Sequence, residues 1–491
     1  MTDASTDNTG RPGSGEPSAG TARVLCVDLD GTLLMTDLLW EAIIRLVRER
    51  PWMLFVMPFW LLRGKAGFKR RIARAVHIDP ESLPYREDLL AYLRAERAAG
   101  RRIVLATASD VEMVTAIAAH VGIFSEVLAS DGTTNLAGRR KTAALVERFG
   151  AGGFDYAGNS SADLDVWRSA HGAIVVDAPD RVLSAASGSS KVIRIFPRAD
   201  RVRPALRSLR AYQWTKNLLV FIPLVMAHRV FEGDLLLRVI GAFVVLSLCA
   251  SGTYVLNDLL DLQADRAHPI KRRRPIASGG LAIPMAIALM AGLLGAGLAG
   301  ALLLPLRFGL LVLLYLVTTT SYSFYIKRLV VADILTLAGL YTLRILAGGV
   351  AAGVLLSFWL LAFSMFIFLS LAFMKRYMEL ILMVREGKTR SAGRGYVSED
   401  LRILETMGTI SSFMSVAVLA LFINSTEISK LYQRPQLLWL VCPALLFWLI
   451  RFWFRAQRGS LDNDDPIVAA FKDRASYVVA IVIGALVILA T

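Results

Sequence analysis

Residues 254–275, YVLNDLLDLQADRAHPIKRRRP, join a long apolar run to a group of bases. The stretch holds Asp258, Asp261 and Asp265, followed by five bases between residues 266 and 274. On one continuous helix, which turns about 100° per residue, the three carboxylates would fall within about 60° of one another. Because like charges on one face repel, the pattern predicts a Mg²⁺ ion among them that also binds diphosphate oxygens. The alternative is a solvated helix end.

The composition indicates that this stretch belongs to a membrane protein. Of the 491 residues, 55% are hydrophobic, and the mean hydropathy of +0.52 is too high for an ordinary soluble enzyme. The net charge is +15, but bases in so apolar a chain are expected to mark cytoplasmic loops, and we predict no binding to nucleic acid. The three cysteines, Cys26, Cys249 and Cys442, lie far apart in apolar contexts, which predicts burial without a disulfide or a zinc site.

Long apolar runs predict nine membrane spans in the C-terminal part of the chain. They cover roughly residues 217–232, 236–257, 281–304, 307–324, 333–352, 356–376, 407–424, 435–454 and 474–490. With the N-terminus inside, the inner connections hold 19 Lys and Arg residues and the outer connections hold five. The positive-inside rule then predicts a cytoplasmic N-terminal part and an external C-terminus.

Composition divides the chain into four predicted regions. Residues 1–20 are polar, without an apolar core, and are predicted to be a disordered tail and not a signal peptide. Residues 21–190 alternate between short apolar runs and helical patterns. Residues 191–215 form a basic linker that suits an anionic membrane surface. Residues 216–491 form the transmembrane domain.

Within the second region, four apolar runs that end in polar residues predict a parallel α/β sheet. These runs cover residues 24–27, 102–109, 154–163 and 172–177. Ligands of such sheets bind at the carboxyl ends of the strands. The polar residues that follow the runs are therefore candidate site residues.

A helical insert, residues 38–100, separates the first two runs. It contains WMLFVMPFWLL at 52–62, which is too short for a span of about 20 residues. Bases follow at residues 63, 65 and 69–71. We predict an interfacial helix that lies on the bilayer; the alternative is the buried core of a cap.

The first run leads into VDLDGT, which supplies Asp28, Asp30, Gly31 and Thr32. Gly31 lets the backbone turn so that its amides face an anion. A nucleophilic carboxylate, a second carboxylate for acid–base work and Mg²⁺ would suit phosphoryl transfer.

Residues 22–185 resemble the haloacid dehalogenase superfamily. The four motifs are DLDGT, VLATAS with Thr107 or Ser109, Lys141 in NLAGRRKTAALVERFG, and GNSSAD. The resemblance implies a nucleophilic Asp28 and a general acid–base Asp30. It also implies that Thr32, Thr107 and Lys141 bind phosphate, and that Asp28, Asp30, Asn159 and Asp163 hold Mg²⁺. The insert is similar to a small helical cap.

One position departs from the superfamily pattern. The fourth motif usually begins with Asp, whereas this chain has Asn159. An amide keeps the oxygen ligand and loses a negative charge, so the affinity for Mg²⁺ should fall unless Asp163 compensates. The alternative to an active phosphatase is an inactive scaffold or regulatory domain.

Residues 205–490 resemble the UbiA superfamily of intramembrane prenyltransferases through NDxxDxxxD followed by RRRPIASG. The combined fold class is an α/β HAD-like (Rossmannoid) cytoplasmic domain with a small helical cap, followed by an all-α UbiA-type domain of nine transmembrane helices. The resemblance implies a bacterial inner (cytoplasmic) membrane, Mg²⁺ bound by aspartates, a lateral cavity for an isoprenoid, and active sites on the cytoplasmic side.

The second aspartate motif of that superfamily, DxxxD, is incomplete. Asp333 is present, but Leu337 stands at the second position, which argues against a standard aromatic prenyltransferase. The segments YQWTKN, SYSFYIKRLVVADI, FMKRYMEL and GRGY resemble decaprenyl-phosphate phosphoribosyltransferases. That branch implies two substrates, a polyprenyl monophosphate and phosphoribosyl pyrophosphate (PRPP).

The resemblance also implies residue roles in the membrane. Asp258, Asp261 and Asp265 would hold Mg²⁺ and the diphosphate, with Asp258 and Asp261 as the catalytic pair and Asn257 orienting the site. The remaining candidates for substrate binding are Lys216, Asn217, Arg266, Lys271, Arg272, Arg274, Lys327, Asp333, Arg344, Lys375, Arg376, Glu379 and Tyr396. For Lys327, Arg344 and Glu379 an ion pair inside the membrane is the alternative.

The fused domains suggest sequential action in cell wall precursor synthesis. The membrane domain would transfer 5-phosphoribose to the lipid, and the N-terminal domain would remove the 5-phosphate. The alternatives are an aromatic prenyltransferase that uses prenyl diphosphate, and a transporter or lipid-binding scaffold. The oligomeric state, including a homo-oligomer, stays open.

Overall fold

The structure, a computed structural model, describes residues 23–62, 64–385, 387, 394–425, 428, 432–461 and 465–491. The predicted tail 1–20 and Gly393 of the GRGY segment lie outside these residues. Two compact units are present, one containing residues up to 42 together with 54–199, and the other containing 43–53 with 200–491.

A parallel sheet of six strands forms the centre of the first unit. Its strands are β1 (Val24–Val27), β2 (Ile103–Asp110), β3 (Glu126–Ser130), β4 (Phe154–Gly158), β5 (Gly172–Val176) and β6 (Lys191–Phe196). The strand order is β3-β2-β1-β4-β5-β6, with every neighbouring pair parallel. Strand β1 lies between β2 and β4, which explains its continuous apolar sequence. The carboxyl ends of β1, β2 and β4 are therefore adjacent.

Eight helices surround or connect these strands. They are α1 (Leu38–Glu49), α2 (Met53–Leu61), α3 (Lys65–Ala75), α4 (Glu87–Ala98), α5 (Val111–Val121), α6 (Arg139–Phe149), α7 (Leu164–Ser169) and α8 (Asp180–Ser189). The two strands that sequence patterns did not predict, β3 and β6, are the edge strands. Strand β6 falls in the stretch predicted to be a linker, so the sheet extends past residue 190.

Helix α2 exposes most of its apolar surface. The exposed fractions are 78% for Phe55, 67% for Phe59 and 49% for Leu61, whereas Met53 and Met57 are buried. A helix that formed the core of a cap would bury its large aromatic residues. An exposed apolar patch of this kind is typical of a surface that meets a membrane or another protein.

The second unit is helical. Its helices are α9 (Val202–Ser208), α10 (Ile222–Met226), α11 (Gly233–Leu260), α12 (Leu262–Ala267), α13 (Ile283–Ala301), α14 (Leu306–Phe324), α15 (Ala332–Ala352), α16 (Phe358–Arg385), α17 (Leu401–Ile423), α18 (Val441–Gln457), α19 (Pro466–Lys472) and α20 (Arg474–Ala490).

Seven of these helices are long and apolar enough to cross a membrane: α11, α13, α14, α15, α16, α17 and α18, the last two with short 3₁₀ extensions. Helices α19 and α20 form a pair bent by 85° that makes an eighth candidate. The predicted count of nine is not confirmed in the described residues. The first predicted span, 217–232, instead contains the end of a 3₁₀ helix, Ala211–Phe221, and the short helix α10.

The helix that carries the aspartates is broken. Helix α11 ends at Leu260, Asp261 has non-helical backbone angles (φ −93°, ψ 11°), and α12 begins at Leu262. The continuous helix assumed from the sequence pattern is therefore wrong at Asp261, and the three carboxylates need not share one face.

We predict that α2 lies in the headgroup region of an anionic bilayer. A Phe55→Cys variant labelled with an environment-sensitive dye should show blue-shifted emission in nanodiscs that contain anionic lipid, because apolar surroundings exclude water from the dye. The native cysteines are buried and should stay unlabelled. Ser187→Cys, on the exposed surface of α8, is the matched control. Equal emission from the two positions would contradict an interfacial helix.

Candidate active sites

The site of the first unit begins at the carboxyl end of β1. Asp28 is 7% exposed, and its Oδ1 accepts a hydrogen bond from Lys141 Nζ at 2.8 Å. Lys141 is itself buried on α6, where its Nζ also lies 2.9 Å from the Tyr156 hydroxyl and 3.8 Å from Asp163 Oδ1. The third and fourth polar motifs thus meet the first at one point.

The carboxylate of Asp30 is held by groups from two other segments. Its Oδ2 accepts hydrogen bonds from Ser109 Oγ at 2.7 Å and Thr107 Oγ1 at 3.3 Å, and its Oδ1 accepts from the backbone N–H of Leu38 at 2.8 Å. Both hydroxyl candidates of the second motif therefore contact Asp30. Thr32 is buried, and its Oγ1 has no hydrogen-bond partner among the described residues.

Asn159 and Asp163 occupy different places in the fourth motif. The Nδ2 atom of Asn159 lies 2.1 Å from where a Cβ on Gly31 would be, and Gly31 has φ +73°, so the motif-one turn requires glycine. Asp163 Oδ2 accepts from Asn159 N at 3.1 Å and from Ser160 N and Oγ at 3.0 Å, while its Oδ1 accepts from Tyr156. Both oxygens of Asp163 therefore accept hydrogen bonds from within the fourth motif and from Tyr156. Asn159 is the residue of the fourth motif that lies beside the first motif.

The electrostatics of this site favour a bound cation. Burial raises the pKa of Asp28 to about 7, with Asp163 and Asp30 adding to the rise and Lys141 opposing it. Although burial disfavours its charge, the carboxylates of Asp28 and Asp163 raise the pKa of Lys141. Asp28, Asp30 and Asn159 surround the Gly31 turn with oxygen ligands of the kind that Mg²⁺ prefers. The residues fit the metal, with one negative charge fewer than three carboxylates would supply.

Three residues near this site were missed by sequence analysis. Tyr156 bonds to Lys141 and Asp163, and its position inside an apolar strand concealed it. Lys69 on α3 donates to the carbonyl of Ala108 at 2.7 Å, and burial lowers its pKa. Burial also raises the pKa of Asp37 to about 6, and Asp30 adds to the rise. Lys69 comes from the insert and Asp37 directly precedes it, and neither belongs to one of the four motifs.

In the second unit, two of the three aspartates converge on one base. Asp258 and Asp265 are buried, and Arg274 Nη1 lies 3.0 Å from Asp258 Oδ1 and 2.6 Å from Asp265 Oδ2. Arg210 also donates to Asp258 Oδ1. Sequence analysis placed Arg210 only in the basic stretch near the membrane. A cationic nitrogen therefore already occupies the point where these carboxylates meet.

The third aspartate turns toward another base. Lys327 Nζ lies 2.8 and 2.7 Å from the two carboxylate oxygens of Asp261 and 3.5 Å from Asn257 Oδ1. The break at Asp261 thus separates its carboxylate from the Asp258–Asp265 pair. In the described part of the chain no three acidic, His or Cys side chains form a ready metal site. Asp258 and Asp265 nevertheless fit a divalent cation, since they already share one positive atom.

The incomplete second motif contains a buried ion pair. Asp333 is fully buried, and its carboxylate accepts two hydrogen bonds from the guanidinium of Arg376, which is 2% exposed, and one from Tyr322 at 2.7 Å. Glu379 accepts from Arg376 and Arg394. Leu337 packs against the apolar core. The two-pronged Arg376 contact uses both oxygens of Asp333.

The other membrane candidates divide into two places. Lys216 and Lys375 meet at Asp465, a residue that sequence analysis missed. Arg344 donates to Asn217 Oδ1 at 2.8 Å and lies in the same helix, α15, as Tyr341, which bonds to Asp465. Asp465 comes directly before Pro466, the first residue of α19. An Asp at this position indicates a helix cap, which explains why the sequence pattern showed no sign of a site.

The remaining bases and Tyr396 lie at the edge of these clusters. Arg266 Nε donates to the carbonyl of Ala277 at 2.9 Å, while Lys271 and Arg272 are exposed. The Tyr396 hydroxyl accepts from the backbone N–H of Val331 at 3.4 Å. The structure therefore brings Arg274, but not Lys271 or Arg272, onto the aspartates.

The fold and the two sites define a multi-pass membrane enzyme with an α/β domain of the HAD type. Residues 218–485 match the UbiA prenyltransferase family, and residues 25–168 match haloacid dehalogenase-like hydrolases. Because the first match covers more than half of the chain, the protein belongs to the UbiA prenyltransferase family.

Comparison with known proteins identifies relatives of the whole chain and of its membrane part. The chain is 35% identical to the uncharacterized protein y4nM of Sinorhizobium fredii over 470 residues, which is 95% of this chain and 90% of that protein. It is 34% identical to the decaprenyl-phosphate phosphoribosyltransferase of Corynebacterium glutamicum over 285 residues, 56% of this chain and 83% of that protein. Among solved structures, a UbiA homolog from Archaeoglobus fulgidus bound to GPP and Mg²⁺ has a TM-score of 0.45 and 15% identity, covering 58% of this chain and 99% of that one.

We predict that Asn159→Asp lowers the Mg²⁺ concentration required for half-maximal phosphatase activity by roughly tenfold, because it restores a negative ligand beside the first motif. The measurement is hydrolysis of a chromogenic phosphate monoester during Mg²⁺ titration. Ser161→Asp is the control, since it adds the same charge at an exposed position two residues away. If both variants shift the requirement equally, Asn159 is not a ligand.

We further predict that Asp333→Ala lowers the free energy of unfolding by about 3–5 kcal/mol, because it leaves the buried Arg376 with only the exposed carboxylate of Glu379 as a counter-ion. Thermal unfolding in detergent, followed by tryptophan fluorescence, would measure the loss. The double variant Asp333→Leu/Arg376→Met should recover most of it. Glu232→Gln, which breaks an exposed pair with Arg229, should change nothing measurable. A double variant no more stable than Asp333→Ala would contradict a mainly structural pair.

Proposed function

We propose that the membrane domain transfers 5-phosphoribose from PRPP to a polyprenyl phosphate, and that the HAD domain then removes the ribose 5-phosphate. The observation that carries this proposal is the engagement of Asp333 by Arg376. With Leu337 at the other position of the second motif, Asp258 and Asp265 of the first motif are the pair left, among the described residues, for a metal and a diphosphate. The relatives named as decaprenyl-phosphate phosphoribosyltransferases support the same chemistry.

The proposed transfer is a displacement at the anomeric carbon of the ribose. An oxygen of the lipid phosphate forms the new bond to that carbon while the bond to the diphosphate breaks, and the electron pair leaves with the diphosphate. A phosphate oxygen is already anionic at neutral pH, so no general base is required. Catalysis then depends on positioning and on stabilising the charge of the leaving group.

The bases on the aspartates are suited to that stabilisation. Arg274 and Arg210 contact Asp258, and Lys327 contacts Asp261. A Mg²⁺ ion held by Asp258 and Asp265 would supply Lewis-acid charge to the diphosphate oxygens. The guanidinium and ammonium groups would then move from carboxylate to phosphate, because two-pronged guanidinium contacts suit both anions.

The phosphatase step would use the site at the end of β1. Asp28 would attack the phosphorus of the 5-phosphate, and Asp30 would donate the proton to the leaving ribose oxygen. Water would then release the phosphate from Asp28. Lys141 would neutralise the phosphoryl oxygens from its position 2.8 Å from Asp28. Fusion to the transferase raises the effective concentration of the phosphatase near its substrate.

We place the protein in a bacterial cytoplasmic membrane with both sites on the cytoplasmic side, where PRPP is made. The positive-inside distribution of bases supports this orientation. An aromatic prenyltransferase remains the second candidate, because the UbiA-type domain is shared by both activities.

The test is to incubate the purified chain with labelled PRPP, polyprenyl phosphate and Mg²⁺ and to separate the lipid products. The parent should yield polyprenyl-phosphoryl ribose, whereas Asp28→Asn should stop at the 5-phosphorylated product with its transfer rate unchanged within about twofold, since the variant alters only the other domain. If parent and variant stop at the same phosphorylated product, sequential action is refuted. Turnover of prenyl diphosphate with hydroxybenzoate instead of PRPP would favour the aromatic prenyltransferase.

A further inference from the structure

A buried cluster of polar side chains lies inside the membrane domain apart from the aspartates. We call it the lysine cluster; it consists of Lys216, Tyr341, Lys375 and Asp465. Both ammonium groups lie 2.8 Å from the same oxygen, Asp465 Oδ2. The Tyr341 hydroxyl donates to Asp465 at 2.8 Å, and the exposed fractions of Lys216 and Asp465 are 7% and 6%.

Among the described residues, the charges in this region do not balance. The lysine cluster there has two positive groups, the ammonium groups of Lys216 and Lys375, and one negative group, the carboxylate of Asp465. Arg344 adds a further charge, since its Cζ lies 5.6 Å from the centre of the Tyr341 ring, over which Lys216 Nζ also lies at 5.9 Å. The hydrogen-bond partners of Arg344 are neutral: the Asn217 side chain, the Leu340 carbonyl and the Tyr315 hydroxyl. An excess of about two positive charges in a buried site is costly unless an anion joins it.

The cluster also has a path for such an anion. The side chain of Lys375 is 26% exposed, whereas those of Lys216 and Asp465 are 8% and 3% exposed. A ligand can therefore reach the ammonium group of Lys375 first. An excess of two charges matches a phosphate monoester, which carries between one and two negative charges at neutral pH.

The cluster lies deeper along the helices than the aspartates. Tyr341 of the cluster is 9 residues from the start of α15, and Arg344 beside it is 12 residues from the start, which is about 14 Å and about 18 Å at the helical rise. Asp258 is two residues from the end of α11, or about 3 Å. The contact of Lys327 with Asp261 shows that the end of α11 and the start of α15 meet on the same side.

One side chain connects the two sites. Tyr254 precedes Asp258 by one helical turn, and Arg210, which pairs with Asp258, lies over its ring at 5.4 Å. Tyr254 also packs against the apolar core that contains Tyr315, over whose ring Arg344 lies at 5.2 Å. Tyr254 therefore lies between the aspartates and the region of Arg344 beside the lysine cluster.

We infer that the lysine cluster binds the phosphate of the polyprenyl acceptor and that Asp465 is a positioning residue that keeps both lysines charged and directed at it. This inference rests on the proposed transfer reaction. The depth of the cluster favours the lipid over PRPP, because the diphosphate of PRPP would occupy the aspartates at the helix ends.

The role of Asp465 follows from electrostatics. Two ammonium groups side by side in a buried site repel each other, and burial also disfavours their charge, so one would lose its proton without a carboxylate between them. Asp465 is rigid, since its Oδ1 also accepts from the backbone N–H of Ile467 at 3.3 Å as the cap of α19. Among the described residues, the charged and titratable groups around the two lysines are Asp465 at the start of α19, Tyr341 and Arg344 on α15, and Tyr254 on α11, in addition to each lysine for the other.

The test is the Asp465→Asn variant of the full chain in nanodiscs. Initial rates would be measured against a short polyprenyl phosphate and against PRPP between pH 7.5 and 9.5. We expect the KM for the lipid phosphate to rise at least tenfold at pH 7.5 and further with pH, since one lysine then loses its proton in the accessible range. The KM for PRPP should stay within about twofold, and the parent should show a flat lipid KM.

Direct binding separates this inference from the transfer reaction. Labelled polyprenyl phosphate and uncharged polyprenol would be titrated onto parent and variant without PRPP. The parent should prefer the phosphate, and Asp465→Asn should lose that preference. A parent that shows this preference yet transfers nothing from PRPP would contradict the proposed function and leave the lysine cluster assigned. A variant that keeps the preference would overturn the role of Asp465.

A matched control is Asp473→Asn. Asp473 also accepts from two bases, Arg451 and Arg455, and caps the next helix, but it lies outside the lysine cluster. Its substitution should leave both KM values unchanged.

A rise in the KM for PRPP alone in Asp465→Asn would assign the cluster to the ribose 5-phosphate and overturn the inference. If Asp465→Asn fails to fold, the charge of Lys375 can be tested directly. Lys375→Met should raise the KM for the lipid phosphate, and Lys375→Arg, which keeps the charge, should have the KM of the parent. Equal KM values for Lys375→Met and Lys375→Arg would also overturn the inference.

Discussion

A charge buried among the helices of this protein has to be neutralised locally, and much of the membrane domain follows from that requirement. Asp258 and Asp265 share Arg274, Asp261 pairs with Lys327, and Asp333 pairs with Arg376. Each contact costs desolvation of both partners, which only close hydrogen-bonded geometry offsets. The pairs therefore hold together the segments that carry them.

The same requirement distinguishes functional from structural pairs. Asp333 accepts from Arg376 and Tyr322, and Arg376 also donates to Glu379, so the groups of this pair are already occupied by protein partners. Among the described residues the balance at Asp465 is incomplete, because two lysines meet one carboxylate. A buried ion pair whose charges cancel stabilises the fold, whereas a buried cluster with a net positive charge favours the binding of an anion.

In the first unit the parallel sheet, and not a set of ion pairs, brings the site residues together. Because β1 lies between β2 and β4 in a parallel sheet, their carboxyl ends bring Asp28, Thr107 and Asn159 to one edge. Motif residues that are more than 100 positions apart in sequence thus become neighbours. This geometry was predictable, since parallel strands with polar carboxyl ends allow few other arrangements. The edge strand β6 was not predictable as such, because exposed basic residues interrupt its apolar pattern.

The sequence by itself determined the two-part organisation, the motif residues of both sites and the absence of a second aspartate at Leu337, since these depend on residue type and spacing. Spacing along the chain could not decide which base meets which acid. The break at Asp261 directs its carboxylate to Lys327. Asp465 is 249 residues from Lys216 and 90 residues from Lys375, yet both lysines contact it. Such pairings depend on how helices pack, and long side chains such as Lys and Arg reach partners on several neighbouring elements. Only the tertiary structure therefore separated the aspartate site, the buried pair at Asp333 and the lysine cluster from what had been one set of candidate bases.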